Sequence, residues 1–125
     1  MIDKTTLKLN ALLRKYKGKT IEDYGGITSP QYKEFENDYY LFLKAMCKAH
    51  NWQLKMNKNH YEFSVVIKRD DGQFVYVSIC DVRYFKDEWN KRVLYRTMKH
   101  EKDWSGGSNH YASINELEKG IESIY

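Results

Sequence analysis

Leu9, Leu12, Leu13 and Tyr16 fall at i, i+3, i+4 and i+7, one apolar face of a helix expected over about 4–17. Gly18 stands just beyond it, where a left-handed residue closes a helix. Residues 19–28 contain Gly25-Gly26 and no period, and read as a loop. Ser29-Pro30 then marks a second start, a side-chain cap followed by proline in the first turn. Phe35, Tyr39, Phe42, Leu43, Met46 and Cys47 keep helical spacing after it, with His50 extending the face and an end expected near Asn51.

Past Asn51 the period changes from 3.6 to two. Leu54 and Met56 alternate with Gln53 and Lys55 in a short strand, and residues 57–60 read as a turn. Tyr61, Phe63, Val65 and Ile67 alternate with Glu62, Ser64, Val66 and Lys68 in a second strand. Asp71-Gly72 predicts a hairpin, because glycine accepts the positive φ such a turn needs. The next strand, 74–80, is half apolar on both faces: one is expected to pack on helices, the other to form an aromatic-rich surface. Residues 81–91 give no clear pattern and read as a loop with a helical turn. A fourth strand is expected over 93–99, where Arg96 shares a face with Leu94 and Met98, and 101–111 read as a loop. Ser113 and Glu116 spell a capping box before a last helix with Ile114, Leu117, Ile121 and Ile124 on one face. The expected class is α+β: two N-terminal helices, a three- to four-stranded antiparallel sheet and a C-terminal helix, in one domain spanning 1–125.

Composition narrows the class. A chain of 125 residues with 42% apolar and 30% charged residues suits one globular domain. Five Phe, three Trp and 11 Tyr make it too aromatic for a disordered chain. No apolar run approaches the ~20 residues that cross a bilayer. The N-terminal residues lead into a helix rather than a signal-peptide core. Cys47 and Cys80 lie in apolar patterns and read as buried free thiols of a reducing compartment. Together these predict a cytoplasmic protein without a membrane partner. The net charge of +4 is uneven: residues 1–29 and 83–103 each carry an excess of +3, 30–82 are neutral and 104–125 carry −2. That distribution permits contact with nucleic acid and speaks against an acidic DNA mimic.

Motif chemistry is sparse. His100-Glu101 would open a zincin motif, but Trp104 stands where the second histidine belongs. His100, Asp103 and His110 offer a looser set of metal donors, for which a solvated loop is the expected reading. Gly106-Gly107 fits no phosphate-binding pattern and is expected to let a loop turn sharply. Thiols in apolar settings keep a high pKa, so neither cysteine is expected to act as a nucleophile. No catalytic residue, metal or cofactor is therefore predicted. The informative stretch is 83–111, where basic residues alternate with Tyr84, Phe85, Trp89, Tyr95, Trp104 and Tyr111. Cations neutralise phosphates and rings stack on bases. The same residue types make protein-interface hot spots.

From Val93 through Arg96-Thr97 and Glu101-Lys102-Asp103-Trp104 to Gly106-Gly107-Ser108-Asn109, the chain resembles a segment of small proteins encoded by bacteriophages and integrative elements of low-GC Gram-positive bacteria. The likeness covers about a fifth of the chain. It implies genomic company that includes inhibitors of host defence nucleases, the anti-CRISPR proteins among them. These usually bind an effector and block its nucleic-acid channel or its conformational change. No residue role transfers with it. The helix–strands–helix order also resembles the double-stranded-RNA-binding domain, whose second helix opens on a basic cluster over phosphates. Here the last helix opens Ile114-Asn115-Glu116-Leu117-Glu118, which is acidic and departs from that pattern.

The expectation is thus a non-enzymatic mobile-element protein of the host bacterial cytoplasm. It would bind and inhibit or modulate a host nuclease or defence effector. The partner-binding residues would be Arg83, Lys86, Trp89, Lys91, Arg92, Arg96, Lys99, Lys102, Trp104, His110 and Tyr111. The alternative is a nucleic-acid-binding accessory protein that uses the same surface on RNA or DNA.

Overall fold

The structure is a computed structural model and describes residues 3–20, 30–58, 63–78, 89–91, 93–100, 103 and 107–125, with the backbone alone at 57, 58 and 63. Helix α1 (Lys4–Lys15) is capped by Asp3, whose carboxylate accepts from the Thr6 amide at 2.8 Å. It stops at Tyr16, two residues before Gly18 turns left-handed at φ 73°. Helix α2 (Pro30–Ala49) starts at the predicted proline, while its expected cap, Ser29, lies outside the described residues. It ends two residues before Asn51, which takes φ 59°, and the Trp52 amide reaches back to the Cys47 carbonyl at 2.8 Å. Asparagine is among the few non-glycine residues that tolerate this conformation.

The strands β1 (Gln53–Lys58), β2 (Phe63–Lys68), β3 (Phe74–Ser78), β4 (Val93–Met98) and β5 (Asn109–Ala112) form an antiparallel sheet. Their spatial order is their chain order. The Asp71-Gly72 turn behaves as predicted: Gly72 sits at φ 85° and the Arg69 amide closes the hairpin on Gln73 at 2.8 Å. Two expectations need correction. Asn57 and Lys58, assigned to a turn, belong to β1, and Asn109 to Tyr111, assigned to a loop, lie in a fifth strand, Asn109–Ala112. β5 is an edge strand of four residues with no apolar alternation, so only its ladder with β4 reveals it. Helix α3 (Ile114–Ser123) starts after Ser113, but the Ser113 half of the capping box is not made: the Ser113 hydroxyl accepts no cap bond, and its carbonyl accepts from the Glu116 amide instead.

One face of the sheet meets the helices. Val65, Ile67, Val75, Val77 and Val93 pack against Leu12 and Tyr16 of the first helical segment, a row from Tyr32 to Cys47 on α2, and Ile114, Leu117 and Ile121 of α3. The far end of α3 is tied down by Arg69. Its Nη1 donates to the Ile121 carbonyl at 3.0 Å, its guanidinium pairs with Asp71, and it lies 5.3 Å over the Tyr125 ring. A cation there satisfies carbonyls that a helix C-terminus leaves open. No described helix is long and apolar enough to cross a membrane.

A polar cluster joins α1 to α2. Lys15 Nζ lies 2.6 Å from Glu34 and 2.8 Å from Asp38 Oδ2, and the Tyr16 hydroxyl donates to the same Asp38 oxygen at 2.5 Å. Burial acts to raise the Asp38 carboxyl, but the hydrogen bonds from Lys15 and Tyr16 outweigh it and hold the group below 3.8. A carboxyl depressed on folding contributes stability above its unfolded pKa and loses it as pH falls through the folded one. Asp38→Asn should therefore cost up to about 1 kcal/mol at pH 7, since Lys15 is half exposed and screened. The gap from wild type should narrow as pH falls below 3.8. Urea unfolding of both proteins at pH 7, 5 and 3 checks this, and a gap at pH 3 as wide as at pH 7 would exclude the ionic origin.

Candidate binding surface

Alternation along the hairpins sends a second set of side chains to the face away from the helices. Register orders them into a row: Lys55 pairs with Val66, Val66 with Tyr76, Tyr76 with Arg96 and Arg96 with Asn109. Beside it Lys68 pairs with Phe74 and Phe74 with Met98, while Leu94 pairs with Tyr111. Val66, Tyr76, Leu94 and Met98 form a small buried cluster with Phe74 and Tyr111 at its margin, and no described helix residue joins it. Cations close over the rings: the Arg96 guanidinium lies 5.3 Å from the Tyr76 centroid and the Lys68 ammonium 5.8 Å from that of Phe74. A pocket of about 380 Å³ adjoins the cluster, lined in part by Lys55, Lys68, Phe74 and His100.

Arg96, which fits poorly in a simple amphipathic strand, has a defined place here. Its Nη2 donates to the Asp103 carbonyl at 2.8 Å. The Asp103 carboxylate accepts from the Lys99 amide at 3.0 Å, and its own amide donates to the His100 carbonyl at 3.1 Å. Arg96 thus covers the outer apolar cluster and holds the turn after β4. Lys99 stands exposed on that turn. Tyr111 lies across from Leu94, half-buried on the same outer face.

The other expected contacts separate. His110 pairs with Tyr95 on the helix side of the sheet and stacks on its ring with centroids 5.4 Å apart. Trp89 is corrected outright: it is 2% exposed in the core, and its Nε1 donates to the Tyr16 carbonyl at 2.8 Å. An indole so enclosed offers nothing to a partner. Lys91 is exposed beside the end of α1, where it lines a groove of about 540 Å³ with Asn10, Leu13, Arg14, Lys17, Gly18 and Asn90. Arg83, Lys86, Arg92, Lys102 and Trp104 lie outside the described residues.

Sequence reasoning expected an aromatic-rich second face on the strand of Phe74 and Tyr76, and both lie on the outer face, but it did not bring Lys55 and Lys68 beside them. The Asp71-Gly72 turn fixes the β2–β3 register and would have placed Lys68 against Phe74. It also missed that the two basic segments, 1–29 and 83–103, meet at one groove through Arg14, Lys17 and Lys91. Nothing local signals that approach.

The alternative chemistries find little support. Cys47 is a buried free thiol, and burial pushes it up to about 12, so it stays protonated and a poor nucleophile at neutral pH. Cys80 lies outside the described residues. The loose metal set does not assemble: His100, Asp103 and His110 do not bring three donor atoms within 4.8 Å of one another. Among the described residues the donors that converge are instead His50, Glu118 and Glu122. No protein-family model matches the chain, and no curated protein and no solved structure matches it either.

Proposed function

We propose that this is a non-enzymatic binding protein of the mobile-element type that inhibits or modulates a host defence complex, such as a CRISPR effector, inside the bacterial cell. The observation that carries the reading is the outer sheet face. It has an apolar centre of Val66, Tyr76, Leu94 and Met98, a margin of Phe74 and Tyr111, and cationic neighbours in Lys68 and Arg96. The buried centre supports half-buried aromatic and arginine side chains above it, and those residue types are enriched at protein interfaces. The proposed contacts are the half-buried Phe74, Arg96 and Tyr111 with the exposed Lys99. His110 marks the neighbouring β5 edge.

The test is plasmid survival in a Gram-positive bacterium with an active CRISPR system. The protein should raise transformation by a targeted plasmid at least about tenfold, the size of effect that removing 1.4 kcal/mol of effector binding produces. The pair Lys99→Glu and Tyr111→Ala should abolish the gain while the protein stays folded, with a melting temperature lowered only by the lost Tyr111 packing. Absence of protection across the effector types tried would sink the proposal.

The groove of Arg14, Lys17 and Lys91 favours a second reading, contact with nucleic-acid phosphates, because the described residues lining it include three cations and no acid. Three neutralised phosphates give a salt slope near −2.7 on duplex DNA, so affinity should fall about 40-fold between 50 and 200 mM salt. Fluorescence anisotropy with labelled oligonucleotides reads this. No binding at 50 mM would remove the second reading and leave the first intact.

A further inference from the structure

Helix α2 ends at Ala49, and the next residue, His50, turns back over α3. Its Nε2 lies 2.6 Å from Glu118 Oε2 and 3.2 Å from Glu122 Oε1. The two glutamates are one helical turn apart, which places their carboxylates side by side. The imidazole is stacked on the Trp52 indole, centroids 4.2 Å apart and planes 14° from parallel. Trp52 is itself buried, so the ring plane is fixed and Nε2 is aimed at the carboxylates. One donor atom from each residue lies within 4.8 Å of the others.

A hydrogen-bond account of this cluster is incomplete. Nε2 can carry one proton, and it faces two anions that also repel each other across one turn. A single divalent cation answers both needs. Around zinc, one nitrogen and two oxygen donors at about 2.0–2.2 Å stand roughly 3.3–3.6 Å apart in tetrahedral geometry. The observed spacings come near that and need only small side-chain movements. An imidazole with carboxylates suits a borderline transition metal, whereas all-oxygen sites suit magnesium and calcium.

We propose that His50, Glu118 and Glu122 form a binding site for a divalent transition-metal ion of the zinc class, which ties α3 to the end of α2. Water would complete the coordination. The site lies on the helical side of the molecule, so it is independent of the outer sheet face and of the function proposed above.

The test uses the full chain, freed of metal by chelator, with zinc alone as the probe. Calorimetry should show saturable binding of one zinc per chain. At a hundredfold excess over Kd, zinc should raise Tm by on the order of 10 °C, since the ligand binds only the folded state. His50→Asn, and separately the pair Glu118→Gln and Glu122→Gln, should weaken zinc by more than the roughly 10–100-fold that losing an outer-shell partner costs. The isosteric Glu→Gln pair should melt close to wild type in chelator, whereas His50→Asn also loses the Trp52 stack and is judged by its zinc affinity alone. Replacing His60, His100 and His110 together by Asn should leave zinc binding unchanged. Absence of saturable binding, or binding that survives His50→Asn and disappears with the other three histidines, would overturn the site.

Discussion

Trp89→Ala should be the most damaging single substitution in the described structure, at about 3–5 kcal/mol for truncating a buried indole. The ring is 2% exposed and meets three others edge-on: Phe35 at 5.4 Å between centroids, and Tyr16 and Tyr39 at 6.3 Å. Such pairs contribute beyond their buried area. Truncation also strips the Tyr16 carbonyl of the Nε1 donor that meets it at 2.8 Å where α1 ends, although that carbonyl still accepts from the Lys19 amide at 3.2 Å. Losing that hydrogen bond adds about 0.5–1.5 kcal/mol. Against a usual stability of about 5–15 kcal/mol, the variant should be largely unfolded near body temperature. Trp89→Phe separates the two parts. It keeps an aromatic ring and loses the N–H, so a cost of about 1–2 kcal/mol is expected. Urea unfolding of both variants checks this. A Trp89→Ala cost below about 1 kcal/mol would return the indole to the surface, where its sequence context first placed it.

That context shows how far local reasoning reaches. Trp89 is flanked by Lys86, Asp87, Glu88 and Lys91, which read as solvent, yet its burial is decided by Tyr16, 73 residues away. The three helices and the β2–β3 hairpin were legible because their signals are local: a 3.6-residue period, a proline start and an Asp-Gly turn. β5 was not, because Asn109-His110-Tyr111-Ala112 lacks alternation and becomes a strand only by pairing with β4. At the candidate surface the alternation exposed Arg96 as out of place among Leu94 and Met98. It could not show that the guanidinium finds Tyr76 and the Asp103 carbonyl. The His50 cluster was the least visible feature. The glutamate pair at 118 and 122 is plain in the sequence, but the histidine that meets it lies 68 residues earlier than Glu118.

Gly107→Ala should cost more than any other small substitution near the candidate surface, and Gly72→Ala gives the scale. Both glycines have positive φ, 92° and 85°. A left-handed backbone costs an alanine about 1–2 kcal/mol. At Gly72 an added Cβ meets nothing within 4 Å, so that strain is the whole effect. At Gly107 the Cβ would stand 1.9 Å from the Thr97 carbonyl oxygen and 2.9 Å from its Oγ1. Backbone cannot rotate away as a side chain can, so the β4–β5 connection must open. Ser108 would then lose its amide bond to Thr97 Oγ1, now 2.8 Å, and β5 would leave the edge of the sheet. Each displaced hydrogen bond adds about 1 kcal/mol, so the total should reach about 3–4 kcal/mol against about 1–2 for Gly72→Ala. β5 is an edge strand, so its loss should be local. Hydrogen exchange should quicken across 109–112 while the amides of β2 and β3 stay protected. Tyr111 would move with it, so in the plasmid-survival assay Gly107→Ala should behave like the surface pair and Gly72→Ala like wild type. Equal costs for the two glycines, with 109–112 still protected, would mean that Thr97 and Gly107 do not meet.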